Sequence, residues 1–223
     1  MRGIFVTGTD TGVGKTVVAA AICAALAARG ERVAAFKPVV TGLDEEPPDG
    51  WPADHELLAA AAGGQAVADV TPYTFASPVS PHLASELEGR QIEPGRVRAA
   101  ADAAAAGADA LVCEGVGGLL VPITLGYSVR DLAVELGLPV LVAARTGLGT
   151  INHSLLTVEA ARAAGLSVAG VVMSPWPLRP EPIEQSNRET VETLSGVRVS
   201  WIAPTSPADL ATAGQTLPID DWL

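Results

Sequence analysis

Residues 8–16 of the chain are Gly8-Thr9-Asp10-Thr11-Gly12-Val13-Gly14-Lys15-Thr16. A short apolar run, Ile4-Phe5-Val6, comes before them, and a segment rich in alanine and valine, Val17 to Ala28, comes after them. In a strand–turn–helix unit of this kind, the backbone N–H groups of the turn and the N-terminus of the helix attract phosphate groups. We therefore predict a phosphate-binding loop in which Lys15 reaches the outer phosphates and the Thr16 hydroxyl binds Mg²⁺.

The spacing of this loop differs from the common pattern. Five residues separate Gly8 from Gly14, where the usual phosphate-binding loop has four. The Gly-Lys-Thr core is nevertheless intact. An ordinary glycine turn is the simpler alternative, but the strand, the core tripeptide and the helix together favour a variant phosphate-binding loop.

Composition and charge narrow the class of protein. The chain has 223 residues, of which 48% are hydrophobic, and this predicts one domain over residues 1–223 with a sizeable core. A net charge of −11 without a basic run argues against a nucleic-acid or anionic-membrane partner. Because no apolar run suits a membrane span or a signal peptide, we expect a cytoplasmic protein.

Two scarce residue types are informative. Lys15 and Lys37 are the only lysines in the chain, so the position of Lys37 after a predicted strand draws attention to it. Cys23 and Cys113 are far apart, and each lies in an apolar segment. We expect them to be buried free thiols in a reducing compartment.

Alternating strand and helix patterns predict an α/β fold, a P-loop NTPase with a mostly parallel sheet and helices on both faces. The predicted strands are Ile4–Thr7, Val33–Lys37, Ala108–Glu114, Pro139–Ala143, Val168–Met173 and Val197–Ile202. The predicted helices are Lys15–Arg29, Asp54–Ala62, Pro94–Ala106, Ser128–Leu136, Asn152–Ala164 and Pro182–Leu194. Residues 43–53 and 71–89 are predicted to be loops, the second of them ordered.

Ligands of such sheets bind at the carboxyl ends of the strands. Lys37 follows one predicted strand, and Glu114 ends another beside a glycine-rich turn, Gly115-Val116-Gly117. Glu114 could therefore bind Mg²⁺ opposite Thr16. The alternatives are a solvated lysine at a strand end and an exposed glutamate in a glycine turn. Asp54, at a helix start, is by itself more typical of a cap.

Three further segments follow predicted strands. The turn before Asn152 precedes a helix N-terminus, which suits a carboxylate or a phosphate, although Asn152 could also cap that helix. Two proline-containing loops, one with Ser174-Pro175 and one with Pro204-Thr205-Ser206, could flank a nucleotide base. His82, as a lone histidine, is interpreted as structural.

Several of these motifs together resemble the dethiobiotin synthetase family, from Gly8 to about Ser206. The resemblance rests on the loop at residues 8–16, Lys37-Pro38-Val39 with Thr41-Gly42, Pro72-Tyr73-Thr74-Phe75, Ser77-Pro78, Ser80-Pro81-His82, Glu114-Gly115 with Gly117-Gly118, and Gly149 with Ile151-Asn152-His153. The loop alone would not be specific, whereas the combination is.

The resemblance implies an ATP- and Mg²⁺-dependent ligase. In this family 7,8-diaminopelargonic acid takes up CO₂ as a carbamate, the carbamate is phosphorylated, and the second amine closes the ring. The resemblance implies that Lys15 and Lys37 hold the developing charge and that Thr16, Asp54 and Glu114 bind Mg²⁺. It thereby favours a metal-binding role for Asp54 over the cap.

The resemblance also assigns the remaining contacts. Thr11, Lys37 and Thr41 would hold the carbamate, and Gly149, Thr150, Ile151 and Asn152 would hold the substrate carboxylate. Nucleotide contacts would come from Gly12, Val13, Gly14, Lys15, Thr16, Val17, Asp54, Glu114, Gly115, Val116, Gly117, Ser174, Pro175, Pro204, Thr205 and Ser206. The family is a homodimer, to whose site Gly117 and the Asn187 region of the partner subunit could contribute.

One position departs from the family pattern. Ser174 stands where members commonly have an asparagine that reads adenine with a donor and an acceptor. Because serine offers a single short hydroxyl, we expect weaker discrimination of the base and use of nucleoside triphosphates other than ATP.

Two other classes compete with this interpretation. Partitioning and septum-placing ATPases carry a lysine near the start of the loop, but the aligned residue here is Asp10, and the chain has no basic surface or amphipathic tail. Synthetases of the cobyric acid kind need a glutaminase domain. The chain is too short for one, and neither cysteine lies in a nucleophile elbow.

Overall fold

Six strands form one parallel sheet, in the order β2 (Val33–Phe36), β3 (Ala110–Gly118), β1 (Gly3–Gly8), β6 (Val140–Ala144), β7 (Val168–Met173) and β8 (Val199–Trp201). The computed structural model describes residues 2–47 and 50–223. The strands are β1 (Gly3–Gly8), β2 (Val33–Phe36), β3 (Ala110–Gly118), β4 (Pro122–Thr124), β5 (Tyr127–Ser128), β6 (Val140–Ala144), β7 (Val168–Met173) and β8 (Val199–Trp201). The short strands β4 and β5 pair separately as an antiparallel hairpin.

Helices cover both faces of the sheet, as predicted. They are α1 (Lys15–Ala28), α2 (Asp54–Ala61), α3 (Val67–Val70), α4 (Pro81–Leu87), α5 (Pro94–Ala105), α6 (Val129–Leu136), α7 (Thr150–Ala163), α8 (Pro182–Ser195) and α9 (Leu210–Gln215). One buried apolar cluster holds α1, α2 and α9 against one face. A second cluster holds α5, α6, α7 and α8 against the other face. This packing explains why β1 is buried along its whole length.

All six predicted strands and all six predicted helices are present, but two boundaries carry corrections. β3 continues to Gly118 instead of ending at Glu114, because its glycines pair with the end of β1, where Gly8 lies opposite Gly118. The predicted turn at residues 115–117 is therefore part of a strand. Helix α7 begins at Thr150 with Gly149 as its N-cap, so Asn152 lies inside the first turn and does not cap the helix.

Residues 71–89 were predicted to be a loop throughout, and this is wrong for α4. Pro81 occupies the first turn of α4, where the missing N–H of proline has no partner to lose, so the proline begins a helix. The rest of the segment is anchored by Tyr73 and Phe75, which are buried and stack with ring centroids 6.4 Å apart. The helices α3 and α9 and the β4–β5 hairpin were not predicted.

The two cysteines match the expectation of buried free thiols. Cys23 and Cys113 are buried and free in the described part of the chain, and burial raises the pKa of both thiols, as expected for unreactive cysteines.

Residues 43–47 and 50–53 contain no helix or strand, while Pro48 and Asp49 of the same predicted loop lie outside the described residues. Among the described residues, no helix is both long and apolar enough to cross a membrane.

The C-terminal helix α9 packs closely on α1 through Gly214. A Cβ at this position would lie 2.0 Å from the carbonyl oxygen of Ala21 and 2.8 Å from Ala25 Cβ. Because the first of these atoms belongs to the backbone of α1, the contact cannot be relieved by a change of rotamer. Glycine is therefore required where the two helices meet.

We expect Gly214→Ala to lower the free energy of unfolding by about 1–3 kcal/mol, because the added methyl group forces the two helices apart. Chemical denaturation followed by circular dichroism measures this change. Gly95→Ala is a matched control, since a Cβ at position 95 of α5 meets no atom within 4 Å. Equal stability of the two variants would contradict this account of the α1–α9 contact.

Candidate functional site

The loop between β1 and α1 depends on three glycines. Gly12 and Gly14 have φ angles of 67° and 86°, in the left-handed region that favours glycine. A Cβ at position 8 would lie 2.8 Å from Val13 Cγ2 and 3.0 Å from Lys15 Cδ. Glycine at position 8 therefore lets the Lys15 side chain pass back across the loop. The extra residue between Gly8 and Gly14 thus does not prevent the loop from directing Lys15 inward.

The ammonium group of Lys15 lies inside the loop. Its Nζ donates a hydrogen bond of 2.8 Å to the carbonyl oxygen of Asp10, and the residue is buried. Burial lowers the pKa of Lys15 to about 8, although the Glu114 carboxylate attracts the charged form. An anion bound in the loop would stabilise that charged form further.

Lys37, Glu114, Asp54 and Thr16 form one polar cluster at the edge of the sheet. Lys37 Nζ donates to Glu114 Oε1 at 2.7 Å and also to Asp54 Oδ2. The Thr16 hydroxyl donates to the same Glu114 oxygen at 2.9 Å. Glu114 is 0% exposed and Lys37 is 4% exposed, whereas the Asp54 side chain is 47% exposed. The structure thus brings Lys37 and Glu114, which were predicted at strand ends, together with Asp54 and with Thr16 of the phosphate loop.

Burial and ion pairing act against each other in this cluster. Burial alone would lower the pKa of Lys37, but the Glu114 and Asp54 carboxylates outweigh it and raise that pKa, so Lys37 is an ammonium. Burial raises the pKa of Glu114 even though Lys37 opposes the shift. For Asp54 the Lys37 ammonium outweighs partial burial and lowers the pKa. The cluster therefore keeps Lys37 in its charged form next to the phosphate loop.

The same cluster fits a hard divalent cation. Thr16, Asp54 and Glu114 bring a hydroxyl and two carboxylates together, which are the oxygen ligands that Mg²⁺ prefers. Among the described residues, Glu114 Oε2 is buried and has no hydrogen-bond partner, so one of its oxygens is available to a ligand. No group of three or more His, Cys, Asp and Glu residues in the described ranges could hold a metal. A cation here would therefore need further oxygens from a nucleotide.

The turn before α7 is fixed by side chains of its own chain. Asn187 of α8 donates from Nδ2 to the carbonyl oxygens of Thr146, at 2.8 Å, and Gly147, at 3.1 Å. The buried Thr150 hydroxyl donates to the Arg145 carbonyl oxygen at 2.6 Å. The Asn187 side chain thus supports the turn of its own subunit. Gly149, with a φ angle of 86°, caps α7 through its backbone, and Ile151 and Asn152 follow it in the first turn.

Arg145, which follows β6 directly, was not predicted to be a site residue. Its Nη2 donates a hydrogen bond of 3.1 Å to the carbonyl oxygen of Thr11 and lies 3.7 Å from Asp10 Oδ2. The contact joins the phosphate loop to the turn before α7. Its position at the carboxyl end of a predicted strand was a signal that could have identified it.

The two loops predicted to flank a base lie beside each other. The backbone N–H of Trp176 donates to the Ile202 carbonyl oxygen at 2.7 Å, which connects the segments after β7 and β8. Ser174 is buried, and a Cβ on Gly14 would lie 3.3 Å from its Oγ. The Ser174–Pro175 peptide bond is cis. Ser174 therefore contacts the start of α1, at the phosphate loop.

The remaining predicted residues are more scattered. Pro204 and Thr205 line a groove of about 770 Å³ beside β8, and the Ser206 hydroxyl donates to Asp209 Oδ2 at 2.6 Å. Thr41 follows a β-bridge between Val40 and Thr74 and is partly buried.

The glycines of β3 are closely packed. A Cβ at Gly115 would lie 2.8 Å from Val129 Cγ1 and one at Gly117 would lie 2.8 Å from Val121 Cγ2, with Val116 between them. These glycines therefore allow the end of β3 to approach its neighbours.

The fold resembles that of two solved structures. A ParA family ATPase from Chlorobium tepidum TLS aligns with 96% of this chain and 90% of its own at a TM-score of 0.56 and 12% identity. The apo McdA structure from Cyanthece aligns with 99% of this chain and 92% of its own at a TM-score of 0.54 and 12% identity. At such low identity the likeness shows a P-loop ATPase fold and nothing about activity.

Sequence comparison is more specific. A family model described as an AAA domain matches residues 2–207. The ATP-dependent dethiobiotin synthetase BioD of Anaeromyxobacter dehalogenans strain 2CP-C is 44% identical over 218 residues, which cover 97% of this chain and 96% of that protein. The protein of the same name from Bacillus subtilis strain 168 is 36% identical over 205 residues, covering 92% and 87%. This chain therefore belongs to the dethiobiotin synthetase family.

Proposed function

We propose that this chain is an ATP-dependent ligase that makes dethiobiotin from 7,8-diaminopelargonic acid and CO₂. The observation that carries the proposal is the Lys37 ammonium, buried between Glu114 and Asp54 and next to Thr16 of the phosphate loop. The names of the relatives support the choice of product. The buried free cysteines agree with a reducing compartment, and we assign the chain to the cytoplasm.

The proposed chemistry has two steps. A carbamate formed from one substrate amine and CO₂ attacks the γ-phosphate through its oxygen, and the nucleoside diphosphate leaves. The second amine then attacks the carbamoyl carbon of the resulting anhydride, and phosphate leaves as the ring closes. Negative charge develops on the transferring phosphoryl group and on the carbamate, and fixed cations stabilise it.

Two residues supply those cations in our proposal. Lys15 turns from the Asp10 carbonyl oxygen to the outer phosphates when a nucleotide binds. Lys37, held by two carboxylates, stays in place and faces the carbamate and the γ-phosphate. Because Lys37 is already ordered and charged, it needs little reorganisation during the reaction. Thr11 and Thr41 would complete the carbamate contacts.

Mg²⁺ is part of the proposal. Thr16, Asp54 and Glu114 would hold it together with phosphate oxygens of the nucleotide. When bound, the ion would neutralise charge on the phosphates that are transferred and released. The buried and unpartnered Oε2 of Glu114, within the described part of the structure, supports this assignment.

The second substrate would be held at the start of α7. The N-terminus of this helix carries partial positive charge and suits the carboxylate of 7,8-diaminopelargonic acid. Leu148, in the turn just before the helix, is 91% exposed. We propose a homodimer in which a second copy covers this turn, as in the family.

The test is product formation. We would incubate the purified chain with 7,8-diaminopelargonic acid, bicarbonate, Mg²⁺ and each nucleoside triphosphate in turn, and measure dethiobiotin by mass spectrometry. We expect product that disappears when EDTA removes the metal. No product with any nucleotide, despite nucleotide binding, would contradict the proposal and favour a switch ATPase.

We expect Lys37→Met to lower kcat/KM by about 100-fold or more, because a fixed cation at the transferring group is lost. The variant should also lose about 3–5 kcal/mol of stability, since Glu114 keeps its buried carboxylate without a counter-charge. The double variant Lys37→Met/Glu114→Gln is the control for stability alone, which should recover; its activity is not compared, because Glu114 is itself a proposed Mg²⁺ ligand. A folded Lys37→Met variant with unchanged kcat/KM would show that Lys37 is only structural.

We expect the values of kcat/KM for ATP, CTP and GTP to lie within about tenfold of each other, because one serine hydroxyl can make only one of the two contacts that distinguish adenine. Ser174→Asn should raise the preference for ATP, and Ser174→Thr, which keeps a single hydroxyl, is the matched control. Steady-state kinetics with each nucleotide provide the measurement. A wild-type preference for ATP of several orders of magnitude would refute this explanation.

A further inference from the structure

Arg145 connects two parts of the site that the proposed function uses separately. Its guanidinium donates through Nη2 to the Thr11 carbonyl oxygen at 3.1 Å, on the phosphate loop. Its own carbonyl oxygen accepts a hydrogen bond of 2.6 Å from the Thr150 hydroxyl, in the first turn of α7. Arg145 thus contacts both the phosphate loop, where the nucleotide would bind, and the first turn of α7, where the substrate carboxylate would bind.

The tip of the phosphate loop depends on few contacts. Asp10, Thr11 and Gly12 are exposed. The Lys15 ammonium holds the Asp10 carbonyl oxygen from inside the loop, and Arg145 holds the Thr11 carbonyl oxygen from outside. Under the proposed function Lys15 turns to the phosphates, so the contact with Asp10 is exchanged for contacts with the nucleotide. Arg145 does not depend on that exchange and keeps its hold on Thr11.

The backbone that carries Arg145 is well anchored. Thr150 holds its carbonyl oxygen, and Asn187 of α8 holds the next two carbonyl oxygens, at 2.8 Å and 3.1 Å. The Arg145 side chain is nevertheless 62% exposed, so its loss leaves no buried cavity. Because its backbone is fixed and its side chain extends to the phosphate loop, Arg145 is suited to position that loop.

We propose that Arg145 is a positioning residue, which sets the place of Thr11 relative to the start of α7 and so aligns the carbamate with the γ-phosphate. The inference rests on the proposed function, because it is the carbamate that Thr11 would hold. It differs from a role as a phosphate-binding cation, since the Arg145 contact is to a backbone carbonyl oxygen and to Asp10.

The first test is Arg145→Met. We expect kcat/KM for 7,8-diaminopelargonic acid to fall about 10-fold, because a charge-assisted hydrogen bond that is partly exposed to solvent is lost. The nucleotide dissociation constant, measured without the diamine, should change by less than about threefold. Phosphate released per dethiobiotin should rise above one, because a misplaced carbamate lets water compete. Arg145→Lys, which keeps one charged donor, should restore part of the loss.

The second test addresses the other end of the connection. Thr150→Val removes the hydroxyl that holds the Arg145 carbonyl oxygen, and Thr150→Ser keeps it. We expect Thr150→Val to show excess phosphate release, as Arg145→Met does, and Thr150→Ser, which keeps the hydroxyl, to show less of it than Thr150→Val. Arg162→Met, an exposed residue in the last turn of α7, controls for the loss of a surface charge. Thermal melts confirm that each variant is folded.

The outcomes are distinct. The inference would be overturned if Arg145→Met and Arg162→Met had the same kcat/KM and released the same amount of phosphate per dethiobiotin. So would a nucleotide affinity that falls as much as kcat/KM for the diamine, since Arg145 would then be a phosphate-binding cation. A wild-type chain that makes no dethiobiotin would instead refute the proposed function itself, before any variant is compared.

Discussion

The buried ion pair between Lys37 and Glu114 is the interaction on which the candidate site depends. A carboxylate at 0% exposure is costly to bury unless a positive charge and hydrogen bonds compensate it. Lys37 follows β2, Glu114 lies in β3, and the Thr16 hydroxyl of α1 donates to the same carboxylate oxygen. The pair therefore fixes two neighbouring strands and the phosphate-loop helix relative to each other.

This arrangement explains why so acidic a chain can bind a triphosphate. The net charge is −11, and its only two lysines lie beside each other at one edge of the sheet. Both are buried, where their charges are screened less by water than surface charges are. The two buried ammonium groups, and not the overall charge, are thus the cations that the site can offer to a triphosphate. The glycines of the loop bring backbone N–H groups to the same place.

The sequence predicted this site because its residues follow strands of a parallel sheet, whose carboxyl ends share one edge. Periodicity could not reveal that β3 continues beyond Glu114 to Gly118, because that depends on pairing with β1. It also missed α4, since Pro81 begins a helix in a segment whose prolines suggested a loop. The position of Arg145 after a predicted strand could have drawn attention to it, but its contact with a backbone carbonyl oxygen, like that of Asn187, could not be predicted from the sequence.

We propose that the phosphate loop and Lys37 bring a carbamate oxygen to the γ-phosphate. The most direct measurement uses bicarbonate labelled with heavy oxygen, together with the diamine, Mg²⁺ and unlabelled ATP, and determines by mass spectrometry where the label appears. If the carbamate is phosphorylated, one labelled oxygen must appear in the released phosphate and another in the ring carbonyl of dethiobiotin. Dethiobiotin formed with unlabelled phosphate would contradict the account, because the carbamate oxygen would then not have attacked the nucleotide.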